Sequence, residues 1–97
     1  MANALIIASK VQATIDLLAK RDKPRYKKVI KCLGFLEIDP AYPSLATHRY
    51  ESLNKVFGQS IWESYVEAGT PSAWRIWWFY GPEDGTITVV DLGRHPE

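Results

Sequence analysis

The sequence predicts an α+β fold: an N-terminal helical hairpin packed on one face of a small antiparallel sheet. Three observations predict it. Apolar residues recur at helical spacing up to residue 38, with one interruption at Asp22-Lys23-Pro24. Three runs rich in aromatic and β-branched residues then follow between positions 61 and 92, separated by turns that carry glycine and proline. A length of 97 residues leaves room for one hydrophobic core, so the chain is read as a single domain over residues 1–97.

Leu5-Ile6-Ile7-Ala8 is a short apolar run, and Ser9 with Gln12 three residues later is a capping-box pattern. A helix is therefore expected from Lys10, burying Val11, Ile15 and Leu18, which favours a strand before it. That helix should stop near Arg21-Asp22. Pro24 fits the first turn of a second helix, where its missing N–H costs nothing. Tyr26, Val29 or Ile30, Leu33, and Leu36 or Glu37 form its apolar stripe, and Pro40 ends it near Ile38. Cys32 lies close to that stripe and is expected to be a buried, unreactive thiol.

Two prolines between Pro40 and Ser44 predict an extended connector. Ile61 to Glu67, Trp74 to Tyr80 and Thr86 to Leu92 then read as a three-stranded meander. Its turns are Ala68-Gly69-Thr70-Pro71-Ser72 and Gly81-Pro82-Glu83-Asp84-Gly85. A shorter strand around Ala46 to Tyr50, or the opening segment, could extend the sheet.

Composition narrows the function. Apolar residues make up 46% of the chain and charged residues 24%, a globular balance. With a lone cysteine, no internal disulfide can form, and no apolar run approaches the roughly 20 residues that span a bilayer. A cytoplasmic protein without membrane contact is expected. The net charge of +1 conceals a split: residues 1–35 are net +6 and the remainder net −5. A basic helical layer beside a mildly acidic sheet can steer a polyanion, and Arg25, Lys27, Lys28 and Lys31 are its expected footprint. A merely solvated helix face would look the same.

The run from Ala73 to Tyr80 has two unlike faces. Trp74, Ile76, Trp78 and Tyr80 should pack under the helices, whereas Ala73, Arg75, Trp77 and Phe79 point the other way. Arg75 among aromatics there suggests an exposed or concave working surface. Stacking on Trp77, or pairing with Glu63 or Glu67, is the structural alternative. The chain has no glycine-rich phosphate loop, His-Glu-x-x-His, cysteine pairs or nucleophile elbow, so nucleotide hydrolases, structural zinc and serine hydrolases lose their signatures. His48 and His95 are the two histidines, each at the edge of an element and suited to proton transfer near neutral pH.

The order of an opening strand, a basic helical hairpin, Asp39-Pro40-Ala41-Tyr42-Pro43-Ser44-Leu45 with His48, an aromatic hairpin with Trp74-Arg75-Ile76-Trp77, and a last strand ending Leu92-Gly93-Arg94-His95 resembles the RelE/ParE superfamily of bacterial toxins. The resemblance spans nearly the whole chain. It implies helices on one side of the sheet and a concave site on the other. RelE-like members cleave mRNA on the ribosome, ParE-like members inhibit DNA gyrase, and toxins of both kinds pair with an antitoxin protein.

Carried over by position, the resemblance implies a metal-independent endoribonuclease that needs no cofactor. His95 would be the acid or base and His48 a second candidate, with Arg75 and Arg94 as phosphate clamps. The tail aromatic common in such toxins has no counterpart here, so base stacking is expected from Trp77 or Phe79. A non-catalytic gyrase-type inhibitor and a degenerate interaction module of the same fold are the alternatives.

Overall fold

The computed structural model describes residues 2–95. Strand β1 (Ala4–Ile7) leads into helices α1 (Ser9–Arg21) and α2 (Lys23–Ile38). After them come β2 (His48–Arg49), the single-turn helix α3 (Asn54–Phe57), β3 (Trp62–Tyr65), β4 (Trp74–Tyr80) and β5 (Thr86–Arg94). The five strands form one sheet in the order β1-β5-β4-β3-β2. Neighbours from β5 to β2 are antiparallel, but β1 runs parallel to β5. The sheet is therefore mixed, a correction to the purely antiparallel one expected. Apolar content marks β1 as a strand without fixing its direction, which the long excursion between β1 and β5 leaves free to be parallel.

Helix α1 starts one residue earlier than expected, and no capping box forms. The Ala8 N–H bonds the Val89 carbonyl on β5 (3.0 Å), while the Ala8 carbonyl accepts from Val11 and Gln12. Sheet pairing thus places the helix entry at Ala8. Ser9 becomes the first helical residue, and the Gln12 side chain turns instead to Asp16 (3.0 Å). Helix α2 follows expectation, with Asp22 accepting from the Arg25 N–H (3.2 Å), Pro24 in the first turn and an extended Asp39 before Pro40. The connector does not stay extended. Asp39 accepts from the Ala41 N–H (2.9 Å), and Pro43–Leu45 winds into a 3-10 turn with Pro43 at its start.

Val11, Ile15 and Leu18 of α1 and Val29, Cys32 and Leu36 of α2 are buried against Ile76, Trp78, Ile87, Val89 and Leu92. Burial pushes the Cys32 thiol up to about 12, so it stays protonated and unreactive. The Trp78 indole N–H donates to Ser64 (2.8 Å), Ser64 and Thr47 share a hydroxyl bond (2.7 Å), and Thr47 donates to the Pro40 carbonyl (2.8 Å). This relay ties the connector to the core and leaves the buried indole N–H satisfied.

A bulge sits in β5: Trp77 pairs with Asp91 and Trp78 with Val89. Val90 is the extra residue and packs with Trp77 and Ile61 on the face away from the helices. The expected split of β4 therefore holds for Ile76 and Trp78 under the helices and for Trp77 and Phe79 opposite, whereas Tyr80, expected under the helices too, is 54% exposed at the end of the strand. Strand β3 is shorter than expected. The N–H groups of Val66 and Glu67 converge on one acceptor, the Trp74 carbonyl (3.1 Å each), and regular pairing stops at Tyr65.

Candidate functional site

Strand register collects the chemistry on the sheet face opposite the helices. Glu63 of β3 lies between His48 of β2 and Trp77 of β4, and Tyr65 pairs with Arg75 one row further. Directly paired residues share a face, so His48, Glu63, Tyr65 and Arg75 converge. His95, one residue past β5, bonds the Ala73 carbonyl through its N–H (3.3 Å) and arrives on the same side.

At the centre is the Glu63 carboxylate, 1% exposed. His48 Nε2 lies 2.8 Å from Oε1, His95 Nε2 3.5 Å from Oε2, and Arg75 Nε 4.0 Å from Oε1. His48 Nδ1 is 2.8 Å from the Ala46 carbonyl oxygen, so both of its ring nitrogens face acceptors. Ala46 takes a left-handed conformation (φ 46°), which turns that carbonyl out of the chain path at the end of the 3-10 turn. The Arg75 guanidinium lies over the Tyr65 ring at 3.7 Å, and its Nη1 donates to the carbonyls of Ala73 (2.9 Å), Glu67 (3.2 Å) and Trp74 (3.4 Å).

Arg75 is buried, at 7% exposure, which corrects the expected solvated surface. The preceding loop closes its carbonyls over the guanidinium, and Tyr65 covers it. Of the sequence alternatives, pairing with Glu63 is the nearer; the stacking partner is Tyr65, not Trp77. Trp77 is also buried, beneath Tyr50, Leu53 and Phe57, so it is no open stacking platform; Phe79 remains half-buried. Tyr50 meets Trp77 edge-on at 5.8 Å and the His95 ring at 6.2 Å. A hollow of about 100 Å³ lined by Tyr50, Leu53, Trp77 and Asp91 opens beside the cluster.

Arg94 does not join this group. It pairs with Trp74, in a row that faces the helices, and it is exposed. The expected joint clamp of Arg75 and Arg94 is therefore not assembled. Sequence reasoning considered Glu63 only as a possible partner of Arg75. Its alternation with Trp62 and Ser64 on β3 placed it with Arg75, but the approach of two histidines depends on β2 and on the residue after β5.

The basic residues lie on the helical side. Glu67 accepts two hydrogen bonds from Arg25 (3.2 and 3.4 Å) and pairs with Lys28 (3.5 Å), while Arg25 also stacks on Trp74 (4.8 Å). Burial alone would raise the Glu67 carboxyl. The Arg25 hydrogen bond, the Trp74 N–H and the charges of Arg25 and Lys28 outweigh it and hold the group below its ordinary value. Lys27 and Lys31 have no carboxylate partner within 4.0 Å among the described residues; the Lys31 ammonium lies 5.8 Å from the Phe35 ring. The two regions meet at Glu67, whose carboxylate holds Arg25 and Lys28 and whose carbonyl holds Arg75.

No protein-family model matches the sequence, and no curated protein matches it. The fold does find a match. An archaeal RelE, solved in the RelE–RelB complex from Pyrococcus horikoshii OT3, aligns with a TM-score of 0.70 over 97% of this chain and 96% of that chain. Sequence identity is 15%. The molecule is thus an α+β protein with a buried carboxylate, two histidines and an arginine gathered on one sheet face. Its fold is that of RelE. No helix among the described residues is long and apolar enough to cross a membrane.

Proposed function

We propose that this protein is the toxin of a toxin–antitoxin pair and cleaves RNA without a metal ion. The convergence of His48, His95 and Arg75 on one face of a RelE-like sheet carries this reading. The neighbouring RelE was solved in complex with RelB, and a protein antitoxin is the corresponding partner proposed here, with both acting in the cytoplasm.

In this chemistry one histidine takes the proton from the ribose 2′-OH as O2′ attacks phosphorus. The P–O5′ bond breaks, a 2′,3′-cyclic phosphate forms, and the other histidine returns a proton to the 5′-oxygen. Negative charge builds on the phosphate and is met by Arg75. Lys27 and Lys31, without carboxylate partners, are the freest part of the basic footprint, with Arg25 and Lys28 shared with Glu67 at its edge. Phe79 supplies the stacking surface.

The test is cleavage of a labelled RNA in EDTA, with and without ribosomes, and identification of the product ends. Cyclic phosphate and 5′-hydroxyl termini are expected, and His95→Ala should lower the rate about 10²- to 10⁴-fold. Absence of any cut RNA would sink the reading. The burial of Arg75 and Trp77 favours a second reading, inhibition of a protein target such as gyrase. Growth arrest that survives His95→Ala would select it.

A further inference from the structure

An ionised carboxylate buried to the extent of Glu63 is costly unless its lone pairs are filled. Here they are filled unequally. Oε1 faces His48 at 2.8 Å, while Oε2 has no hydrogen-bond partner, His95 standing 3.5 Å away. Arg75 Nε is likewise buried without a partner, 4.0 Å from Oε1. A purely stabilising ion pair would close these gaps, because a half-satisfied buried network is weaker than an apolar core. Among the described residues, His48, Arg75 and His95 are the basic groups within 4.0 Å of this carboxylate, from β2, from β4 and from the end of β5, and Tyr65 is the further titratable group on the face, over Arg75.

The two rings are not equivalent. His48 has an acceptor at each nitrogen, the Ala46 carbonyl and Glu63 Oε1. Only a ring carrying both protons satisfies both acceptors, and such a ring has a proton to give and no lone pair to offer. His95 has an acceptor near Nε2 alone among the contacts of its ring with carboxylates. At 3.5 Å this is no hydrogen bond. The carboxylate charge still favours the tautomer with the proton on Nε2, which leaves the lone pair on Nδ1, the arrangement that fits a ring for accepting a proton.

We propose that Glu63 is a positioning residue that divides the proton work: it holds His48 as the donor and fixes the tautomer of His95 so that Nδ1 is the acceptor. This rests on the RNA-cleavage reading. In the step itself His95 Nδ1 takes the 2′-OH proton as the O2′–phosphorus bond forms, and His48 turns its Nε2–H from Glu63 Oε1 to O5′ and gives that proton as the P–O5′ bond breaks. Glu63 touches neither substrate oxygen. The lone pair on Oε1 that His48 vacates then turns to Arg75 Nε, the unpartnered donor beside it.

The experiment is ¹⁵N–¹H correlation of the imidazole rings at neutral pH, with cleavage kinetics in parallel, for wild type, Glu63→Gln and Glu63→Asp. Wild type should show both His48 nitrogens protonated and a single Nε2–H tautomer for His95. In Glu63→Gln, His48 should keep only the Nδ1 proton that faces Ala46 and His95 should mix tautomers. The value of kcat should fall about 10- to 100-fold at little changed KM, as when an orienting partner is removed. Glu63→Asp, which keeps the charge, should restore the His48 pattern in part. A lone-pair nitrogen on His48 in the wild-type spectrum overturns the proposal without recourse to any variant. Unchanged ring spectra in Glu63→Gln overturn it too, as does unchanged kcat. A wild-type protein that cuts no RNA defeats the nuclease reading, and the ring spectra then decide the role of Glu63 independently.

Discussion

Trp77 and Trp78 are adjacent in sequence, both buried, and chemically unlike. Trp78 faces the helices and gives its indole proton to Ser64, in a relay that ends at the Pro40 carbonyl. Trp77 faces the other way, and its indole N–H is buried with no partner. The same contrast holds for the two sides of the sheet. Among the described residues, the buried side-chain polar atoms without a hydrogen bond are Glu63 Oε2, Arg75 Nε and Trp77 Nε1, all on the side away from the helices. On the helical side the buried polar atoms are satisfied, and the other side retains unmet hydrogen-bonding capacity.

The strongest challenge to this contrast is Arg75→Gln. If the guanidinium is the counter-charge that makes a buried Glu63 tolerable, its removal should cost about 3 to 5 kcal/mol in urea unfolding. A loss below about 1 kcal/mol would mean that the cluster is solvated and the two sides differ less than the contacts indicate. The tryptophans give the next largest effect. Trp78→Phe strands the end of a hydroxyl relay and opens space in the core, and should cost about 2 to 3 kcal/mol. Trp77→Phe removes an indole N–H that has no partner and should cost less than about 1 kcal/mol. Equal losses would erase the distinction between the sides.

The smallest effect belongs to the border between them. Glu67 has its carboxyl lowered in the folded state, so it contributes stability above the ordinary carboxyl range and loses it as pH falls through the lowered value. Glu67→Gln should remove this acid-sensitive part, on the order of 1 kcal/mol, and leave the neutral-pH melting curve shifted only slightly. Thermal melts of both proteins between neutral and strongly acidic pH provide the check.

Much of the helical side was legible in the residues. Val11, Ile15 and Leu18, the proline after Asp22 and the alternation along Trp74 to Tyr80 each encode position through a local period or a backbone restriction. The direction of β1 was not legible, since hydrogen-bond polarity between distant strands leaves no trace in either strand's composition. The cap at Ala8 was hidden for the same reason, because its N–H bond comes from β5. The cluster was half-legible. Arg75 stood out as a cation among aromatics and the histidines as the chain's two imidazoles. Their common partner Glu63 resembled any other charge on a strand until the register brought β2 and the end of β5 to it. The burial of Arg75 depends on carbonyls of the β3–β4 loop, whose orientation no side-chain pattern records.

The position of β5 has a consequence for how the protein comes into being. Lying between β1 and β4, it supplies Ile87, Val89 and Leu92 to the core and brings His95 to Glu63. It is also made after the other four strands. Until it emerges, β1 has no neighbour, the inner faces of α1 and α2 lack much of their floor, and Glu63 lacks one of its histidines. Non-local pairing of this kind comes late in folding as well as late in synthesis. A chain still short of β5 therefore has no assembled cluster.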